Sequence, residues 1–123
     1  MREISISTAL LQIKYGDEES LKIAKKIGAD GVDFNLCDYD LTNPDCIYSK
    51  NDDEIKKYFS HLRQVAENLG IRICQTHGRI QGFKDIKDED ENLIKNARID
   101  CLATAVLGAP VCVMHSVTSI YMG

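Results

Sequence analysis

Polar and apolar residues alternate in four short stretches of the chain, and this alternation predicts four β-strands. The stretches are residues 3–8, 31–36, 71–77 and 111–115. The clearest is the second, in which Val32, Phe34 and Leu36 fall on one side of an extended chain while Asp33 and Asn35 fall on the other. We therefore expect a sheet with one apolar face and one polar face.

Three longer segments between the strands carry apolar residues at helical spacing, each with acidic residues at its start and a glycine at its end. The first is expected to follow a loop that contains Tyr15 and Gly16. The helices open at residues 17–20, 51–54 and 88–91 and end at Gly28, Gly70 and Gly108. Their predicted inward residues are Leu21, Ile23, Ala24 and Ile27; then Ile55, Tyr58, Phe59, Leu62, Val65, Ala66 and Leu69; then Leu93, Ile94, Ala97, Cys101, Leu102, Ala105 and Val106.

The order β-α-β-α-β-α-β predicts the α/β fold class, with a parallel sheet, right-handed crossovers and helices packed outside it. No linker composition interrupts residues 1–123, so we expect a single domain. A polar sheet face suits the interior of a barrel better than an open sheet covered on both sides. Because a (β/α)₈ barrel takes about 250 residues, the 123 residues predict half of such a TIM barrel, cut from a longer one.

Composition narrows the classes of function. The net charge of −4 argues against a nucleic-acid surface, which is normally basic. Neither a membrane-spanning apolar run nor a signal peptide is evident, so we expect a soluble cytoplasmic protein with no membrane partner. The five cysteines are odd in number and lack C-x-x-C spacing, which indicates reduced and mostly buried thiols.

Two predicted strands end in a histidine, His77 in one and His115 in the other. Sorting each strand by alternation places Ser5, Ser7, Asp33, Asn35, Gln75, His77 and His115 on one polar face, together with Ile71, Ile73, Val111 and Val113. The carboxyl ends of parallel strands are where α/β proteins build their sites. We therefore expect the two imidazoles to lie close together in a functional site.

Each candidate residue has a chemical role and an ordinary structural alternative. His77 and His115 can bind a metal or relay protons, or they can be core histidines with a hydrogen bond. Asp33 and Gln75 are candidates to orient them or to bind substrate. Arg79, in the following loop, can meet a phosphate or a hydroxyl, and a solvated surface arginine is the other interpretation.

Three segments carry a resemblance to a known family. Residues 28–33, residues 69–71 leading to Gln75-Thr76-His77-Gly78, and residues 105–110 leading to Val113-Met114-His115 resemble the first half of the sugar phosphate isomerase/epimerase family. This family belongs to the xylose isomerase-like TIM-barrel superfamily, which also includes the family 2 AP endonucleases. The resemblance implies a metal-dependent sugar or sugar phosphate isomerase or epimerase, acting on a small molecule and not on nucleic acid.

The same resemblance implies roles for individual residues. His77 and His115 would be catalytic, and Asp33, Gln75 and Arg79 would bind substrate; Asp33 stands where the family usually has Glu. A divalent ion (Mn²⁺, Mg²⁺, Co²⁺ or Zn²⁺) would be held by residues of later strands. In the endonuclease branch, His77 and His115 themselves ligate zinc.

Three functions therefore stay open from the sequence. The first is the isomerase or epimerase, and the second is a zinc-dependent hydrolase of the AP endonuclease kind. The third is a non-catalytic half-barrel that self-associates through the open edges of its first and fourth strands.

Overall fold

The computed structural model of the protein describes residues 2–115 and confirms the α/β class, with a parallel four-stranded sheet and four α-helices. The strands are β1 (Ser5–Ser7), β2 (Gly31–Asn35), β3 (Arg72–His77) and β4 (Cys112–Val113). The helices are α1 (Ala9–Tyr15), α2 (Asp17–Lys26), α3 (Asp52–Leu69) and α4 (Lys87–Leu107), and a short 3-10 helix spans Ile47–Ser49. Among the described residues, no helix combines the length and apolar character needed to cross a membrane.

The strands lie side by side in chain order, β1-β2-β3-β4, and every neighbouring pair is parallel. Right-handed crossovers between successive parallel strands put the connecting helices on the same face of the sheet. The buried apolar core lies between that face and the helices. It contains Leu21, Ala24, Ala29, Val32, Phe34, Leu36, Tyr48, Ile55, Phe59, Leu62, Ala66, Ile71, Ile73, Ile99, Ala103 and Leu107.

Helix α3 agrees most closely with its sequence pattern. Ile55, Phe59, Leu62 and Ala66 are buried, and the helix follows Asn51, whose side-chain oxygen accepts a hydrogen bond from the Glu54 amide at 2.9 Å. It ends at Gly70, whose φ of 69° is a left-handed conformation that glycine adopts without steric cost. By contrast, Ile27 was predicted to be an inward residue of the preceding helix, but it directly follows α2 and is exposed.

Helix α1 occupies residues that were predicted to be a loop. None of its residues is buried, and Leu10 and Ile13 are 81% and 69% exposed. It therefore lacks the inward apolar stripe by which a packed helix is recognised in sequence. Gln12 ties the helix to the sheet instead, because its side-chain amide donates to the Asn35 carbonyl and accepts from the Asn35 amide, at 2.9 and 3.0 Å.

The inward face of α4 was partly mispredicted. Ile94, Cys101 and Ala105 are exposed, while the buried residues are Asn96, Ile99, Asp100, Ala103, Thr104 and Leu107. Three of these buried side chains are polar, and each is hydrogen-bonded inside the protein. A pattern of apolar residues cannot reveal a buried face of this kind, because half of it is polar.

The face assignment of β3 was also partly wrong. Ile71 and Ile73 were expected to share a face with Gln75 and His77, but they lie in the core on the helix side. The register shifts between Val32 and Asp33: Val32 pairs with Ile73, and Asp33 with Gln75, so Cys74 is an extra residue. Such a bulge interrupts the alternation of side chains.

The cysteines bear out only part of their prediction. All five thiols are free, but four are partly buried and Cys101 is exposed, so none is fully buried.

Candidate functional site

The carboxyl ends of β2, β3 and β4 bring four predicted site residues together. Asp33 pairs in register with Gln75, and His77 pairs with Val113, two residues before His115. Because the bulge at Cys74 restores Gln75 and His77 to the face opposite the helices, their side chains meet that of Asp33. This is the edge of a parallel α/β sheet at which sites usually form.

Asp33 and His77 form a close pair. Nδ1 of His77 lies 2.6 Å from Oδ2 of Asp33, and Nε2 of Gln75 donates to the same oxygen at 3.0 Å. Since a carboxylate accepts hydrogen bonds, the contact fixes the proton of the imidazole on Nδ1. The Nε2 nitrogen of neutral His77 is then the acceptor, and the side chain is 33% exposed. Asp33 thus orients His77 and presents a basic nitrogen to the open side of the sheet.

The second carboxylate oxygen of Asp33 differs from the first. Oδ1 is buried and has no hydrogen-bond partner among the described residues. Buried polar atoms of folded proteins are nearly always hydrogen-bonded, so Oδ1 is an exception among the buried side-chain atoms of residues 2–115. It lies on the same side chain that orients His77.

His115 lies beside His77, as the strand-end pattern predicted. The two ring centroids are 5.8 Å apart and the ring planes are inclined by 31°. The backbone amide of His115 donates to the carbonyl of Arg79 at 3.0 Å, which ties the second residue after β4 to the loop after β3. The ring of His115 is exposed, so both imidazoles face the same open space.

Arg79 is not the solvated surface residue considered from the sequence. Its side chain is 7% exposed, and its guanidinium contacts the buried carboxylate of Asp100 and the carbonyl of Leu36. The same side chain lines a polar cavity of about 270 Å³ with Asp40, Lys84 and Asn96. The predicted substrate contact of Arg79 stays a prediction, and its guanidinium is already engaged by protein groups.

The other polar residues of the predicted face have separate positions. Ser5 and Ser7 are exposed on β1, paired in register with Gly31 and Asp33. Asn35 is buried and donates from Nδ2 to Asp38 at 2.7 Å, away from the Asp33–His77 contact. The candidate site therefore contains Asp33, Gln75, His77 and His115.

Two residues next to this site were missed by sequence reasoning. Asp100 on α4 is fully buried and accepts a hydrogen bond from the hydroxyl of Tyr48 at 2.6 Å. Burial raises the pKa of Asp100 and, with the neighbouring carboxylate, that of Tyr48. The only signal in the sequence was the spacing of Asn96, Asp100 and Thr104 four residues apart, which places three polar groups on one helix face.

A metal site requires several ligating side chains in one place. Residues 2–115 contain no group of three or more His, Cys, Asp or Glu side chains arranged to hold an ion. His77 can offer Nε2 and His115 can offer an imidazole, which makes two ligands, whereas structural and catalytic zinc sites take three or four from protein. The described residues alone do not fit a complete metal centre.

The fold and the site define an α/β protein with a carboxylate-oriented histidine at the carboxyl ends of its parallel strands. Comparisons of the chain with protein-family models, with curated proteins and with solved structures find no match. These comparisons therefore show no family for this chain.

Proposed function

We propose that this chain is the first half of a (β/α)₈ barrel and contributes the catalytic histidines of a sugar or sugar phosphate isomerase or epimerase. The proposal draws support from the sequential order of four parallel strands with the core on the helix side. It also draws support from the polar side chains at the carboxyl ends, where barrels of this kind carry their sites.

The contact of 2.6 Å between His77 and Asp33 is the observation that carries the proposed chemistry. A histidine held through Nδ1 can accept and return a proton through Nε2 near neutral pH. Isomerisation or epimerisation of a sugar by proton transfer uses this step. A proton leaves the carbon next to the carbonyl and returns either to the former carbonyl carbon, while a hydroxyl proton passes between the two oxygens, or to the opposite face of the same carbon. His77 is the proposed base, and His115 the proposed hydrogen-bond donor to the carbonyl oxygen.

Gln75 and Asp33 supply the polar groups that a sugar hydroxyl can meet. Gln75 donates one amide hydrogen to Asp33 and retains a second donor and an acceptor. A divalent ion in the complete barrel would polarise the sugar carbonyl, and its ligands would come from later strands. The proton transfer through His77 is assigned to this chain alone.

Hydrogen exchange of the substrate tests the proposal. The chain is incubated in ²H₂O with Mn²⁺ or Co²⁺ and a panel of sugars and sugar phosphates, and deuterium next to the carbonyl is measured by NMR. Replacing both histidines, His77→Ala with His115→Ala, is expected to reduce the exchange rate at least 100-fold, the lower range for general acid–base catalysis. Asp33→Asn is expected to reduce it at least 10-fold, because Nδ1 loses its carboxylate.

His61→Ala is the matched control, since His61 is exposed on α3 and pairs with Glu18. Its exchange rate should equal that of the unaltered chain. Equal rates in the double variant and the unaltered chain would contradict the assigned roles. A complete lack of exchange by the unaltered chain with every sugar would contradict the assignment of the proton transfer to this chain alone.

A zinc-dependent hydrolase acting on abasic DNA is the second candidate. The arrangement that favours it is a pair of adjacent imidazoles, one of which is oriented through Nδ1 by a carboxylate, as metal-bound histidines usually are. The net charge of −4 argues against DNA as a partner. Cleavage of an abasic duplex together with bound zinc, both lost in the double histidine variant, would favour this candidate over the isomerase.

A further inference from the structure

A buried ion pair lies directly behind the candidate site. The backbone amide and Nε of Arg79 both donate to Oδ2 of Asp100 at 2.9 Å. Tyr48 donates to the other oxygen, Oδ1, at 2.6 Å, and the Tyr48 ring lies 6.0 Å below the guanidinium carbon. All three side chains are buried, so the pair is held in a low-dielectric environment by several simultaneous hydrogen bonds.

The backbone of Arg79 connects this pair to both histidines. Its carbonyl accepts the amide of His115 at 3.0 Å, and its guanidinium donates to the Leu36 carbonyl at 2.6 Å. Leu36 in turn donates its amide to the carbonyl of His77 at 2.7 Å. Arg79 therefore links the end of β2, the end of β3 and the second residue after β4 to a carboxylate on α4.

We propose that Arg79 is a positioning residue, locked by Asp100 and Tyr48, that sets the placement of His115 relative to His77. Its importance for catalysis rests on the proposed function, in which the two imidazoles act on one substrate. The assignment also explains why the guanidinium is buried beside the site without pointing into it. A carboxylate on α4 thus determines the geometry of two residues that it does not touch.

Gly78, the residue before Arg79, shows how closely the carboxylate of Asp100 approaches the loop after β3. A Cβ atom placed on Gly78 would lie 2.7 Å from Oδ2 of Asp100, closer than nonbonded atoms approach. The glycine allows the carboxylate of α4 to reach the amide of Arg79 directly. A larger residue at position 78 would separate α4 from the loop that follows His77.

The proposal is tested by NMR on the chain without substrate. Two readouts are used: the NOE between the ring protons of His77 and His115, and the hydrogen exchange rate of the His115 amide. Arg79→Gln is combined with Asp100→Asn, because removing one charge alone would leave its partner buried and uncompensated. The double variant is expected to lose the inter-ring NOE and to exchange the His115 amide at least tenfold faster.

Two controls separate positioning from a general loss of stability. Arg98→Gln with Asp52→Asn removes an exposed ion pair between α4 and α3, and Ile99→Val weakens the core on α4. Both should retain the NOE and the slow exchange of His115. The Nδ1–H resonance of His77 should persist in every variant, since its partner Asp33 makes no contact with Arg79 or Asp100 among the bonds of the described residues.

An unchanged NOE and an unchanged exchange rate in the folded double variant would overturn the proposal. If that variant does not fold, Arg79→Lys takes its place, because lysine retains the charge but lacks the branched guanidinium that spans Asp100 and Leu36. The same loss of NOE is then expected, and its retention overturns the proposal. The NMR measurements are made without substrate and do not depend on the sugar-exchange experiment. Each proposal can therefore be contradicted without the other.

Discussion

At the residue scale, three tyrosine hydroxyls donate hydrogen bonds to two carboxylates. Tyr39 and Tyr58 both donate to the same oxygen of Asp17, and Tyr48 donates to Asp100. Burial, together with the neighbouring carboxylates, raises the pKa of all three phenols above the ordinary value. These groups hold the segment after β2 and helix α3 to α2 and α4.

The raised phenol pKa values predict a loss of stability in alkali. A group whose pKa is higher in the folded state stabilises fully below its unfolded value, about 10 for tyrosine, and the contribution disappears as pH rises through the folded value. Tyr58→Phe should lower the free energy of unfolding at pH 8 by about 2 kcal/mol, because a hydrogen bond to a charged group is lost. The variant should then lose less stability between pH 8 and pH 11 than the unaltered chain does.

Urea unfolding at both pH values measures the difference. Tyr15→Phe, on exposed α1, serves as the control and should change the free energy of unfolding by less than about 0.5 kcal/mol. Parallel losses of stability in the Tyr58→Phe variant and the unaltered chain would contradict the assignment.

At the element scale, α4 is held to the sheet by buried polar contacts as well as by apolar ones. Thr104 donates its hydroxyl to the Asp100 carbonyl at 2.6 Å, and its oxygen lies 2.7 Å from the hydroxyl of Thr76 on β3. Because Thr104 uses its own proton on Asp100, Thr76 must be the donor between the two threonines. The contact therefore has a direction that mutation can reveal.

We predict unequal effects of valine at these two positions. Thr104→Val removes the acceptor of a buried hydroxyl, and this should cost about 2 kcal/mol of unfolding free energy. Thr76→Val leaves Thr104 with its bond to Asp100 and should cost less, about 1 kcal/mol. The double variant should cost less than the sum of the two, since no orphaned hydroxyl remains.

A double-mutant cycle in urea gives all three values. Additive effects would show that the two hydroxyls do not interact. A larger loss in Thr76→Val than in Thr104→Val would reverse the assigned donor.

The pattern of α4 explains why its inward face was predicted only in part. Apolar periodicity identified the helix itself, whose observed bounds Lys87–Leu107 match the expected start and glycine end. The rotation about its axis was wrong because Asn96, Asp100 and Thr104 are buried through partners far away in sequence. The spacing of apolar residues within α4 does not reveal such distant partners.

At the scale of the whole molecule, exposed apolar side chains lie near both edges of the sheet. Ile4, Leu10 and Ile13 are exposed around β1, and Val111 and Met114 are exposed around β4. Edge strands with free backbone groups and apolar neighbours readily pair with another chain. Eight parallel strands are the number that closes a (β/α)₈ barrel, and two copies of this sheet would supply eight.

We therefore expect the chain to self-associate at micromolar concentration. Val111→Lys, next to the β4 edge, should shift sedimentation equilibrium towards the monomer at least tenfold, because a charge at a strand edge opposes pairing. Gln64→Lys, on the exposed side of α3, is the control and should leave the equilibrium unchanged. A monomer throughout the micromolar range in the unaltered chain would contradict the expectation.

The sequence by itself determined the strands, the inward stripe of α3 and the meeting of Asp33, Gln75, His77 and His115. These features follow from alternation in strands, from helical spacing and from the rule that parallel strands end at one edge. Tertiary structure decided the rest. Helix α1 has no buried stripe, the bulge at Cys74 is set by pairing with β2, and Arg79 is buried because a carboxylate 21 residues later reaches it. Each of these depends on a long-range partner, which periodicity along one chain does not encode.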